Sequence, residues 1–241
     1  MTKSTVSTAP IIAIIGCDGS GKSTVCEQIA KWVTLYGDAA AVHLGKQQGN
    51  VGRTLSNLPL VGKMLGSLIA RKVSSVNKAQ AQNKAPIFLP ALVMYAFTLR
   101  RVRRFKKMLK LRNQGFIIIA DRFPQLDYPK AYDGPSFIQN ALASSLVQRL
   151  IRKEYAAFEW MTSFEPDLVI RLNVDIDTAC ARKPDHEREL LQNKINITPL
   201  LKFKNAPIVD INTVQPLVNV LADVKAAVSN TLEKKGFHSK V

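Results

Sequence analysis

The chain has 241 residues, 46% of them hydrophobic and 22% charged, with 34 Lys and Arg against 18 Asp and Glu for a formal net charge of +16. That is enough for one sizeable core in a single domain spanning 1–241 with an insertion. The cysteines Cys17, Cys26 and Cys180 show no paired spacing, which excludes a disulfide framework and fits a reducing, cytoplasmic setting, and the longest apolar run beyond the first strand, Leu58 to Ala70, is interrupted by Lys63 and two glycines and is too short to span a bilayer.

Met1 to Pro10 is polar, so no targeting segment is expected. Ile11-Ile12-Ala13-Ile14-Ile15 is a short apolar, β-branched run that reads as a buried parallel strand. Gly16-Cys17-Asp18-Gly19-Ser20-Gly21-Lys22-Ser23-Thr24 follows it and fits G-x-x-x-x-G-K-[ST] at every fixed position. From Ser23 onward, Val25, Ile29, Ala30 and Val33 recur at helical spacing, which completes the strand, loop, helix order that a phosphate-binding loop needs. In such a loop successive N–H groups point inward at phosphate oxygens and the helix adds its N-terminal dipole. Gly16, Asp18, Gly19, Ser20, Gly21, Lys22, Ser23 and Thr24 are therefore expected to cradle ATP. Lys22, exposed in the loop, reaches the β and γ phosphates, and the Ser23 hydroxyl ligates Mg²⁺.

Ala39 to Leu44 reads as a second strand. Gly45 to about Pro90 is the least regular stretch, a flap or insertion. Ala91 to Leu111 then carries Leu92, Tyr95, Ala96, Leu99, Val102, Phe105 and Leu109 as an apolar helical stripe, ended by Gly115. Phe116 to Ala120 is a buried strand with Asp121 at its carboxyl end, the arrangement that places a carboxylate beside Mg²⁺. Leu168 to Val174 is a further strand, after which Asp175, Asp177 and Thr178 offer capping oxygens to a helix through Ala179 to Ala181. Pro207 to Ile211 is the last strand and Val214 to Leu232 a closing amphipathic helix. Five strands alternating with helices give a doubly wound parallel sheet, a three-layer α/β/α P-loop NTPase architecture.

Joined to Asp18 in the loop, Asp121-Arg122-Phe123 and Pro166-Asp167-Leu168 make the chain resemble the thymidylate kinase-like branch of the nucleoside monophosphate kinases. The resemblance implies transfer of the ATP γ-phosphoryl group to an acceptor phosphate. It implies that Asp18 contacts the acceptor's sugar and that Arg122 and Arg100, the latter on the preceding helix, hold its phosphate or base. It also implies a lid, at about 182–205. Gly19 leaves the loop without an arginine, so Arg182 and Arg188 are the expected lid cations, with Lys194 beyond. With Lys22, Asp18 and Asp121 these arginines make up the expected catalytic set, Ser23 and Asp121 being the metal ligands.

The chain departs from thymidylate kinases at His43-Leu44-Gly45-Lys46-Gln47-Gln48-Gly49, where they carry Thr-Arg-Glu-Pro-Gly-Gly. Asp121-Arg122-Phe123-Pro124 with the later Asp133-Gly134-Pro135 is similar to kinase-like proteins of bacterial surface polysaccharide synthesis. A nucleoside monophosphate and a phosphorylated sugar thus stand as alternative acceptors, and a non-catalytic nucleotide switch as the alternative to a kinase. The excess charge has three readings: a solvated basic helix Arg100 to Lys107, docking to an anionic membrane through Leu58 to Val73 and that helix, or nucleic acid, for which no recognition motif or zinc-ligand spacing speaks. A homodimer is the further partner expectation.

Overall fold

The computed structural model describes residues 8–45, 88–139 and 141–240. The expected flap, including Lys46 to Gly49 and the Leu58 to Val73 membrane segment, therefore lies outside the described residues except at its two ends.

Among the described residues five strands are present: β1 (Ile11–Gly16), β2 (Ala39–His43), β3 (Ile117–Asp121), β4 (Leu168–Asn173) and β5 (Ile208–Asn212). They form one sheet in the order β2-β3-β1-β4-β5, every pairing parallel. The first strand is central, so β1 and β3 flank the point where the chain switches winding direction, and a ligand crevice is expected off their carboxyl ends. Among the described residues six α-helices accompany them: α1 (Lys22–Val33), α2 (Phe88–Asn113), α3 (Ser145–Thr162), α4 (Ile176–Arg182), α5 (Arg188–Ile197) and α6 (Leu217–Lys234).

Period-two alternation sends β1 side chains to two cores. Ile12 and Ile14, with Ile119 and Ile170, pack on Val25, Ile29 and Val33 of α1 and Val220, Val224 and Val228 of α6. Ile11, Ala13 and Ile15, with Ile118 and Val169, pack on Phe105 and Met108 of α2 and Phe158 and Met161 of α3. Each such burial of a large aliphatic side chain contributes about 1.5–3 kcal/mol. Arg112 and Lys235 both reach Asp167, which also accepts from the Ile11 N–H at 2.8 Å and so ties both helix layers to the start of the central strand.

The strands appear where the apolar runs lie, and Asp175 caps α4 by accepting from the Thr178 N–H at 2.7 Å. One expectation changes and two elements add to the rest. Helix α3 has no counterpart among the elements read from the sequence. The segment expected as a lid, about 182–205, contains α5 followed by a 3₁₀ turn, Thr198–Leu200. The apolar stripe on α2 is out of phase: the buried residues are Ala91, Met94, Thr98, Arg101, Phe105 and Met108, while Leu92 and Leu99 are exposed. The reason is polar. Buried Glu154 of α3 accepts from the Thr98 hydroxyl at 2.9 Å, and Asp133 receives Arg101, so the inward face of α2 is held by hydrogen bonds at its middle.

Candidate active site

The loop between β1 and α1 is shaped by glycine where side chains cannot fit. Gly16 has φ +153°, and a Cβ there would lie 2.5 Å from Ser20 Oγ and 2.7 Å from the Leu172 carbonyl. Gly19, at φ +86°, would press a Cβ to 2.9 Å from the Ala179 carbonyl of α4. Gly21 turns left-handed to start α1, leaving Ser23 and Thr24 exposed on its first turn. Lys22 is not exposed as expected but 7% accessible, folded across the loop so that its ammonium donates to the Cys17 carbonyl. Burial, helped by the charge of Arg122, lowers its pKa to about 8.

Asp121 stands at the end of β3, in register with Ile14 on one side and His43 on the other. Its Oδ2 is 2.6 Å from His43 Nδ1, and its Oδ1 is buried with no hydrogen-bond partner. Burial pushes the carboxyl up, but the His43 contact and the charges of Arg122 and Lys22 prevail and hold it below the usual range. A buried carboxylate oxygen without a hydrogen-bond partner suits a divalent cation. Mg²⁺ is characteristically held by one or two protein ligands plus substrate phosphates, so Asp121 with Ser23 fits it without a protein cage. Among the described residues no cluster of three or more His, Cys, Asp or Glu forms one.

From this point a chain of alternating charges runs across the crevice. Lys194 of α5 donates to Asp18; Arg122 Nη2 lies 3.2 Å from Asp18 and Nη1 3.7 Å from Asp133; Arg101 clasps Asp133 through its carboxylate at 2.7 Å and its carbonyl at 2.6 Å. Burial would raise the Asp18 pKa, but Lys194, Lys22 and Arg122 outweigh it and hold the carboxyl far below the ordinary range. Arg122 adopts φ +68°, a strained position for a residue with a side chain, and a Cβ at Gly45 would press on the Arg122 and His43 side chains beside it. Gln125, bonded to Tyr128 and Ala131, and Glu154, accepting from the Ser136 and Phe137 N–H groups, fold the segment that presents Asp133.

The expected residues are thus partly regrouped. Asp18, Lys22, Asp121 and Arg122 converge. Arg100 is exposed, and the inward arginine is its neighbour Arg101, one helical step of about 100° away. Arg182 is held by two carbonyls, Gly19 at 3.2 Å and Thr213 at 2.9 Å, bracing the loop against the end of β5 rather than riding on a lid. Arg188 points to Asp177 on the exposed side of α4. The cation of segment 182–205 that pairs with a loop carboxylate, Asp18, is Lys194. Its helix is seated by Leu191, packed with Cys17, Val174 and Ala179, and by the Tyr132 hydroxyl, which donates to the Lys194 carbonyl at 2.6 Å. The sequence singles out Asp133 only within Asp133-Gly134-Pro135 and does not single out Arg101, although the buried phase of α2, once read through Met94, Phe105 and Met108, points to it.

A parallel sheet in this strand order, a glycine loop on β1 and a carboxylate ending the adjacent strand define a P-loop NTPase fold. Two Escherichia coli K12 proteins are similar over nearly the whole chain. YghS, described as an uncharacterized ATP-binding protein, is 36% identical over 212 residues, 88% of this chain and 89% of its own. YghR, described in the same words, is 34% identical over 220 residues, 91% of this chain and 86% of its own. The chain belongs to the family of these proteins. No protein-family profile matches it.

Proposed function

We propose that the protein is an ATP- and Mg²⁺-dependent phosphotransferase of the thymidylate kinase-like type, moving the ATP γ-phosphoryl group to a nucleoside monophosphate or a similar small phosphorylated acceptor. The relatives' description as ATP-binding proteins supports the first half of this reading. The observation that carries the second half is the charge chain Lys194, Asp18, Arg122, Asp133, Arg101, which extends the site from the phosphate loop to α2. A protein that only switches on nucleotide has no use for a second set of cations there.

In this reading the loop N–H groups and Lys22 bind the β and γ phosphates, and Ser23 and Asp121 hold Mg²⁺, which when bound neutralises charge on the transferring group. His43 fixes the rotamer of Asp121 through Oδ2 and leaves Oδ1 to the cation. Arg122, shared between Asp18 and Asp133, is oriented by both and turns its remaining capacity to the acceptor phosphate, while Lys194 closes over the loop from α5. Phosphoryl transfer needs such positioning and positive charge more than covalent help. Coupled ADP-release assays across nucleoside monophosphates and sugar phosphates test the reading: one acceptor class accelerates ATP turnover. ATP binding with no acceleration by any of them identifies a nucleotide switch instead.

A further inference from the structure

Helices α2 and α3 lie side by side on one face of the sheet: Phe105 packs on Trp160, Thr98 bonds Glu154, and Lys106 Nζ lies 5.7 Å from the centre of the Trp160 ring. Their outward faces are strongly basic. Arg100, Arg103, Lys106, Lys107 and Lys110 of α2 and Arg149, Arg152 and Lys153 of α3 are all exposed, and α2 contains no Asp or Glu along its 26 residues. The same faces expose large apolar side chains in their N-terminal halves: Phe88, Leu92 and Leu99 on α2, and Leu146 on α3 with Leu142 just before it, the last 87% accessible. Phe88, Leu92, Leu99, Arg103, Lys106 and Lys110 follow steps of three, four and seven, one continuous stripe roughly 33 Å long. Because α2 leads into β3 and α3 into β4, both apolar ends lie at the carboxyl edge of the sheet, where the site opens.

We infer that this face docks the protein flat on an anionic lipid bilayer, with the leucines entering the headgroup boundary and the cations on the phosphates. This goes beyond the proposed kinase activity and does not depend on it. Cations alone would equally suit nucleic acid, but its backbone offers nothing to a row of exposed leucines. Apolar side chains alone would suit a second copy of the chain, but a two-fold contact through this face would set eight cations against eight. A bilayer carrying anionic lipid takes both, and stable surface binding needs two such signals together. The mouth of the site would then face the membrane boundary.

Co-sedimentation of the full chain with phosphatidylcholine vesicles, with and without phosphatidylglycerol, tests this. Binding is expected only to the anionic vesicles. It should fall at least about tenfold in Arg103→Glu/Lys107→Glu/Lys153→Glu and by a similar factor in Leu92→Ser/Leu142→Ser/Leu146→Ser. The equal charge change Lys202→Glu/Lys234→Glu/Lys240→Glu, away from these helices, should leave it within about twofold. All the substituted side chains are exposed, and unaltered thermal unfolding confirms that each variant folds. Any of these results overturns the inference: no binding to anionic vesicles, equal loss in the control triple, full binding by the serine triple, or a solution dimer abolished by the serine triple in protein that ignores vesicles.

Discussion

The two walls of the crevice are built by different means. On the β1 side the site is backbone: the loop's shape is set by Gly16, Gly19 and Gly21, and its one buried cation, Lys22, is tied to a main-chain carbonyl. On the α2 and α5 side the site is side chain on side chain, with Arg101, Asp133, Arg122, Asp18 and Lys194 drawn from five separate segments. A backbone cradle tolerates change around it and fails when a glycine gains a Cβ. A charge chain tolerates change in its backbone and fails when one member is removed and leaves its neighbour buried without a partner.

The largest effect should come from breaking the chain at its most buried link. Arg101→Ala leaves the Asp133 carboxylate, itself almost fully buried, and the Asp133 carbonyl both without their Arg101 donor. Loss of one member of a buried pair costs about 3–5 kcal/mol, here toward the lower end because Arg122 remains 3.7 Å away. Arg100→Ala, on the exposed side, should change stability by no more than about 0.5 kcal/mol. Urea unfolding of the two variants measures the contrast, and equal losses would dissolve the distinction between neighbouring arginines. On the other wall, Lys22→Ala should leave urea unfolding largely intact yet remove about 3 kcal/mol of transition-state stabilisation, a fall of more than about 100-fold in acceptor-dependent ATP turnover. Undiminished turnover in a folded variant would take the phosphate site away from this loop.

The two walls were also unequally legible in the sequence. The cradle is local: nine consecutive residues between a strand and a helix specify it, and the end of β3 adds Asp121 through a four-residue apolar run. The charge chain is not. Arg101 pairs with a residue 32 positions on and Lys194 with one 176 positions back, and neither spacing has a signature. The apolar positions of α2 pointed to the wrong face because Thr98 and Arg101 occupy inward positions that the polar partners Glu154 and Asp133 make tolerable. Helix α3 escaped notice although its buried Val147, Ile151, Tyr155 and Phe158 recur at helical spacing. The strands were legible because β1, β3 and β4 are covered on both faces and so read as unbroken apolar runs.

Two glycines two positions apart sharpen the backbone half of the comparison. Gly19 and Gly21 share nearly the same φ, +86° and +82°, but a Cβ at Gly19 meets the Ala179 backbone, whereas none within 4 Å opposes one at Gly21. Gly21→Ala therefore carries only the conformational cost, about 1 kcal/mol. Gly19→Ala adds a clash with helix backbone that cannot rotate away and should cost about 2–3 kcal/mol, with ATP affinity falling as the loop is pushed off α4. Thermal unfolding with isothermal titration of ATP separates the two, and equal losses would mean that α4 gives way.

The smallest effect concerns the link that joins the walls, Asp18 with Lys194. The folded-state pKa of Asp18 is depressed because Lys194, Lys22 and Arg122 outweigh the cost of burial, so the pairing stabilises the fold only while the carboxylate is charged. A depressed carboxylate contributes fully above its unfolded pKa of about 3.9 and loses that contribution as pH falls below it toward the folded value. Asp18→Asn removes the contribution at every pH. The stability difference between the parent and the variant should thus be greatest above about pH 5, on the order of 1 kcal/mol since Lys194 is partly solvated, and should shrink steadily toward about pH 3. Urea unfolding at three pH values measures it. A difference that stays constant across that range would mean Asp18 holds α5 by hydrogen-bond geometry alone, and that the charge chain ends at Arg122 instead of crossing the crevice.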